Sequence, residues 1–212
     1  MSPRPRTRKA ERTAAPGRRV TRARRSKETD ITLTLDLDGS GKADVKTGLP
    51  FFDHMLTAFA HHGLFDLTLR AKGDLEVDAH HTVEDVGLVL GAAFLEALGE
   101  RRGIVRYGTF GLPMDEAMAL VAVDLSGRPF VVWETPKLSK WVGAFPSELA
   151  EDFWRAFAQE ARLTLHVRIL SGRNTHHMLE AIFKGVARAL EQAVTVDPRR
   201  AAAVPSTKGK LD

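Results

Sequence analysis

The sequence predicts an α+β fold made by internal duplication, with two small, mostly antiparallel sheets packed with helices. Three recurrences predict it. Leu67-Thr68-Leu69 returns as Leu163-Thr164-Leu165, and His80-His81-x-x-Glu84 returns as His176-His177-x-x-Glu180, both 96 residues on. Ala58-Phe59-Ala60 returns as Ala156-Phe157-Ala158, 98 residues on, so a two-residue gap separates this match from the strand. Each half then reads helix, strand, loop with HHxxE, helix.

The elements follow from local patterning. In residues 29–38, Ile31, Leu33, Leu35 and Leu37 alternate with polar residues, as in a half-buried strand. Asp38-Gly39-Ser40-Gly41 reads as a hairpin turn. Pro50 precedes a helix over 52–62, stopped by Gly63. A strand over 65–70 and a helix over 81–98, ended by Gly99, complete the first half. The second half shows strands over 119–125 and 129–133, a helix over 147–161, a strand over 163–169 and a helix over 176–194. Residues 205–212 are turn-like and basic. The expected division is a disordered basic tail over 1–18, a first unit over 19–110 and a second over 111–212, the two units forming one compact domain.

Composition narrows the chemistry. The chain has 212 residues and no cysteine, so disulfides and thiolate metal sites are excluded and any metal must sit on His and carboxylate ligands. No apolar run reaches the ~20 residues that span a bilayer, and the basic start is not followed by the apolar stretch of a secretory signal. Residues 1–27 hold eleven Lys or Arg against Glu11 alone, so the net charge of +4 hides a body of −6. Such a start reads as a solvated, disordered extension; nucleic-acid binding and an organelle transit peptide are the other readings of an Arg-rich, acid-poor segment.

Four of the eight histidines lie in the two HHxxE motifs. On the first turn of a helix, residues i and i+4 share a face, so His80 can meet Glu84 and His176 can meet Glu180. Adjacent residues diverge by ~100°, so His80 and His81 do not converge on one ion. The doublets therefore point to two metals, or to a metal shared with another chain. Four imidazoles and two carboxylates without sulfur suit Mn²⁺, Zn²⁺ or non-haem Fe²⁺. One doublet alone reads as surface polarity; two at equivalent sites read as ligands. His54 lies beside apolar residues, where a lone His is more often a core group, but its repeat mate is Asp152 and both side chains can ligate. His61-His62 reads as a helix C-terminus, and His166 as a strand residue. Arg106, Arg128, Lys184, Ser206 and Lys208 are scattered groups of the kind that a small phosphoester requires.

Two rival readings exist. Asp36-Leu37-Asp38-Gly39-Ser40 after an apolar strand matches the nucleophile signature of haloacid-dehalogenase-type phosphatases, but no later acidic pair follows a third apolar strand as that family requires. A metal-sensing, nucleic-acid-binding protein with a basic arm leaves the paired repeats and the PSTKG end unexplained.

The motifs together resemble the imidazoleglycerol-phosphate dehydratase family over residues 19–212. They are SKET (26–29), LDGSG (37–41), GLPFFDHML (48–56), HHTVED (80–85), GERRGIVRYG (99–108), PMDEA (113–117), DLSGRP (124–129), RNTHHMLEAIFK (173–184), ARAL (187–190) and PSTKG (205–209). The resemblance implies units like the second domain of ribosomal protein S5, a 24-subunit homo-oligomer with active sites between subunits, and two Mn²⁺ per site. It implies dehydration of imidazole glycerol phosphate to imidazole acetol phosphate in histidine biosynthesis, by a cytoplasmic lyase. His54, His80, His81, Glu84, His176, His177 and Glu180 match the family's metal ligands. Many relatives carry His where this chain has Asp152, which is then a carboxylate ligand or leaves its place to water. Glu28 matches a substrate-contacting acid, and Arg106, Arg128, Lys184, Ser206, Lys208 and His62 match a phosphate pocket. The C–H to be broken is not acidic by itself, so the ring must supply the push as a metal-bound imidazolate, with Glu28, Glu84 and Glu180 as candidate acid/base groups.

Overall fold

Alternating apolar residues build two sheets with one covered face each. In a computed structural model, which describes residues 17–200 and 203–211, the first unit runs β1 (Arg19–Arg25), β2 (Thr29–Asp36), β3 (Ala43–Lys46), α1 (Pro50–Gly63), β4 (Asp66–Gly73) and α2 (His80–Leu98). The second runs β5 (Tyr107–Met114), β6 (Ala117–Asp124), β7 (Phe130–Glu134), a β8 (Trp141–Val142) and β9 (Phe145–Pro146) hairpin, α3 (Leu149–Ala161), β10 (Thr164–Ser171) and α4 (Thr175–Val194). The sheets are ordered β1-β2-β4-β3 and β5-β6-β10-β7. In both, the first three strands are antiparallel and the last pairs parallel with its neighbour. With the β8–β9 hairpin set aside, the two topologies are the same, and the duplication is structural as well as textual.

The central strands β2 and β6 carry the same alternation of buried and open residues, so each sheet keeps one face toward the helices and one toward water. The helices pair across units, α2 with α3 and α1 with α4. Phe59 of α1, Phe94 of α2, Phe153, Trp154 and Phe157 of α3, and Phe183 of α4 form one ring cluster, with centroids 4.8 Å apart for Phe153–Trp154 and 4.9 Å for Trp154–Phe183. Both units share a single apolar core.

Several expectations change. Arg18, placed in the tail by the sequence, donates to Asp38 and to the Val194 carbonyl and so belongs to the fold; residues 1–16 lie outside the described residues. Within the same basic stretch, Arg22 meets Glu96 and Arg24 meets Asp85. The division after residue 110 cuts β5, whose ladder with β6 assigns it wholly to the second sheet. The Asp38–Gly41 turn closes no hairpin: β2 pairs with β1 and β4, while β3 crosses over to lie parallel to β4. Helix α1 runs through Gly63, and Leu64 takes the left-handed capping conformation at φ 57°, as Arg162 does at φ 51° after α3. Strands β1, β3, β5, β8 and β9 were not visible in the sequence pattern.

The α2–α3 contact depends on missing side chains. A Cβ on Gly87 would lie 2.7 Å from the Phe153 carbonyl oxygen, and one on Gly91 would lie 2.4 Å from that of Phe157. Gly91→Ala should therefore destabilise the protein by about 1–3 kcal/mol through overpacking, against an intrinsic helix gain of about 1 kcal/mol. Urea denaturation measures it, and a midpoint at or above that of the parent chain would refute the close approach.

Candidate metal centre

All four helices point their N-termini to one face. The contacts along α2 and α3 advance together, from His80 beside Asp152 to Gly91 beside Phe157, so these helices run parallel. Along α1 and α4, His54 meets Glu180 and, further on, His62 meets Arg188, so these also run parallel. Both β4 and β10 lead into the helix that carries HHxxE. The Asp78 side chain accepts the His80 N–H at 2.7 Å, and Asn174 accepts the His176 N–H at 2.9 Å, fixing both motifs at the helix start.

The sequence-predicted ligands gather into two half-sites, each drawn from both units. His54, His176 and Glu180 have ligand atoms within 4.8 Å of one another. Glu180 Oε2 lies 3.0 Å from His176 Nε2 and 3.4 Å from His54 Nε2, and its Oε1 accepts from Lys184 at 2.7 Å. Burial pushes this carboxyl up, but Lys184 and His176 outweigh it and leave it below the ordinary value. The second half-site does not converge in the same way, because its two acids approach different nitrogens of the His80 ring. Glu84 lies 3.7 Å from His80 Nε2, and Asp152 lies 3.8 Å from His80 Nδ1. Side-chain exposure is 49% for Glu84 against 8% for Glu180. A cleft of about 660 Å³, lined by Asp78, Trp133, Leu138, Trp141 and Glu151, opens beside His80. The donors are nitrogen and carboxylate oxygen with no sulfur, a set that fits a borderline or hard divalent cation.

The second histidine of each doublet turns away from the first, with ring planes 78° apart in both cases. His81 Nδ1 meets Asp74 at 3.0 Å, and His177 Nδ1 meets Glu116 at 2.8 Å. On the far side, Glu28 lies 3.9 Å from His81 Nε2 and Asp115 lies 3.9 Å from His177 Nε2. Glu28 and Glu116 each immediately precede the second strand of their sheet, β2 and β6, so these two are positional mates, while Asp115 stands one residue earlier. Sequence reasoning missed Asp74, Asp115 and Glu116. For Glu116 the signal existed, because in the PMDEA segment it stands where Glu28 stands in SKET.

The expected phosphate residues fall into two groups. His62 and Lys184 lie near Glu180, and burial, Lys184 and His61 hold the His62 imidazole below its ordinary value. Arg106 sits at the other end of α4. Its backbone N–H donates to the Ala193 carbonyl, Nε and one terminal nitrogen grip Asp124 at 2.7 and 3.0 Å, and the other donates to the Pro205 carbonyl. That last bond places Ser206 and Lys208 beside it. Arg128 follows Asp124 closely and is exposed, with no ion pair among the described residues. The acids of the phosphatase signature are used elsewhere: Asp38 pairs with Arg18, and Asp36 accepts the Asp38 N–H.

Fold and site define a duplicated α+β protein with paired His–carboxylate centres at helix N-termini. A profile described as imidazoleglycerol-phosphate dehydratase matches residues 47–190. The imidazoleglycerol-phosphate dehydratase of Cereibacter sphaeroides is 54% identical over 189 residues, covering 89% of this chain and 97% of that one. That of Symbiobacterium thermophilum is 57% identical, covering 89% and 90%. The crystal structure of the Staphylococcus aureus enzyme superposes with a TM-score of 0.77 at 39% identity, covering 84% of this chain and 99% of that one. The Pyrococcus furiosus enzyme gives 0.77 at 37%, covering 90% and 100%. The chain belongs to the imidazoleglycerol-phosphate dehydratase family: it is a lyase of histidine biosynthesis that dehydrates imidazoleglycerol phosphate.

The carboxylate partners give a pH signature. The hydrogen bond from His177, with those from Asn174 and Arg173, lowers Glu116 from 4.5 to about 2, while the same bond raises His177 above 6.5. The raised His contributes below 6.5 and loses its contribution as pH rises through its new value; the depressed Glu contributes above 4.5 and loses it as pH falls toward 2. The pair is thus complete between these limits. Glu116→Gln should return the His177 midpoint toward 6.5 in an NMR titration of metal-free protein, leaving His81 raised by Asp74. An unchanged His177 midpoint would show that Glu116 is not the cause.

Proposed function

We propose that the chain dehydrates its substrate in active sites completed between copies of itself, each holding two Mn²⁺ ions. One observation carries this reading. His176 and Ala193 stand 17 residues apart on α4, roughly 25 Å at 1.5 Å per residue. The half-site at His176 and the Arg106–Ser206–Lys208 group beside Ala193 therefore cannot hold one small phosphoester within a single chain. A second copy must bring its own Arg106, Arg128, Ser206 and Lys208 to the metal face. The divergent doublets support the same reading, since His81 and His177 point away from the half-sites of their own chain. The 24-subunit assembly and the cytoplasmic setting are those that the resemblance implies.

The proposed ligands are His54, His176 and Glu180 for one ion and His80, Glu84 and Asp152 for the other, with His81 and His177 ligating in neighbouring copies. Bound divalent ions would hold the imidazole ring through its nitrogens and favour its deprotonated form. The remaining work falls to the chain. Arg106, Arg128 and Lys208 neutralise the phosphate, and Ser206 donates to it. His62, kept neutral below its ordinary value, and Lys184 line the side nearest Glu180. Glu28, exposed and next to His81, takes the proton from carbon, while Glu84 and Glu180 serve as metal-bound carboxylates.

Chelator-stripped protein should be inactive, and Mn²⁺ should restore water loss from imidazole glycerol phosphate. Activity of metal-free protein would overturn the metal reading. Glu28→Gln should cut turnover by about 10²–10⁴-fold while leaving bound manganese unchanged; wild-type turnover would remove Glu28 from the reaction. Light scattering should show metal removal loosening the assembly, because ligands from separate chains share each ion.

A further inference from the structure

We infer that Asp74 and Glu116 are positioning residues that orient the second histidine of each doublet, so that His81 and His177 present Nε2 and not Nδ1 to the ion. The inference rests on the metal reading above. Both Asp74 oxygens approach His81 Nδ1, at 3.0 and 3.2 Å, and Glu116 Oε2 approaches His177 Nδ1 at 2.8 Å. A carboxylate only accepts, so Nδ1 carries the proton and the neutral ring has its one lone pair on Nε2. A carboxylate behind a ligating imidazole fixes its tautomer and its plane and raises its basicity. In both halves Nε2 faces an acid 3.9 Å away, beyond hydrogen-bond reach, and so remains open.

Both residues are anchored, Glu116 through its carboxylate and Asp74 through its backbone. Glu116 Oε1 accepts the backbone N–H groups of Asn174 and Arg173 at 2.8 and 3.2 Å. The Asp74 N–H donates to the Glu28 carbonyl, and the Asp74 carbonyl accepts from Val77. Their origins differ. Asp74 follows β4 of the first unit, seven residues before His81, whereas the residue seven before His177 is Leu170. Glu116 comes instead from the β5–β6 turn of the second unit. A contact inherited passively through duplication would sit at equivalent positions. This one is made in both halves by acids from unrelated positions, so what the two halves have in common is the contact itself.

The test is Mn²⁺ titration of stripped, full-length protein, with circular dichroism to confirm folding. Glu116→Ala and Asp74→Ala should each weaken metal binding by about 10–100-fold. Glu116→Gln and Asp74→Asn should recover most of it, because the amide oxygen still accepts from Nδ1–H. In a His177→Ala background, Glu116→Ala should add nothing further. If His177→Ala binds Mn²⁺ like the parent chain, the metal reading itself fails and this inference with it. If His177→Ala weakens binding and Glu116→Ala does not, the inference alone is overturned. It is equally overturned if Glu116→Ala costs as much without His177 as with it.

Discussion

The site depends on the close, parallel packing of helices from opposite units. Helix α2 can lie on α3 because Gly87 and Gly91 let backbone meet backbone, and the six-ring cluster behind them fills the space where four helices converge. Parallel pairing places four N-termini on one face. That face is intrinsically electropositive, since the unpaired N–H groups of a helix start carry partial positive charge. It favours anionic side chains and opposes a bare cation. Glu84, Glu180 and Asp152 meet both demands: each lies within the first two turns of its helix, where the dipole stabilises a carboxylate, and each can screen a divalent ion from the same dipole.

Duplication made the two half-sites and divergence made them unequal. Around Glu180 there are two imidazoles, one buried carboxylate and the Lys184 ammonium. Around Glu84 there are one imidazole and two open carboxylates, with Leu88 at the place equivalent to Lys184. The second half-site is therefore more anionic and richer in oxygen, which suits a harder ion. Beside the first, the Phe51 ring packs on His176 at 5.1 Å, while the second borders the open cleft beside the β8–β9 hairpin. That hairpin has no counterpart in the first unit, so only the second half-site has this cleft beside it.

The sequence made some of this visible for physical reasons and hid the rest for equally physical ones. Helices α1–α4 and the central strands β2, β4, β6 and β10 were legible because each buries one face, and burial imposes periodicity. The edge strand β1 was not: Arg19, Arg22, Arg24 and Arg25 are all exposed, even where Arg22 and Arg24 reach acids of α2, and the strand reads as charge, not alternation. Such charge also protects an edge from unwanted pairing. Strand β5 hid behind Gly108, Gly111 and Pro113 at the matching edge of the second sheet. The HHxxE groups were found because i and i+4 are fixed by the helix. Asp74 was not, since it reaches His81 through a loop whose course depends on tertiary structure, and Glu116 is legible only once β6 is matched to β2. The DGSG segment misled because its residues favour a turn, and nothing local reveals that the chain then crosses β4.

Helix α4 finally sets the scale of the whole arrangement. Its first turns carry His176, His177 and Glu180, its middle carries Lys184, and its last turn receives the Arg106 backbone. Arg106 faces Asp124 on one side and Pro205 on the other, so the guanidinium ties the C-terminal segment to the end of the second sheet. One rigid rod thus separates the proposed metal ligands from the proposed phosphate-binding groups by more than the length of a small phosphoester. Shortening the rod would bring the groups together but would also remove residues such as Phe183, Val186 and Leu190, which cover the sheet and fill the core. On the proposed reading, a fold of this size does not both pack its core and close its site in the same chain. The assembly proposed above would resolve the conflict, because a neighbouring copy would supply the far end of its own α4 to the face where this chain holds its histidines.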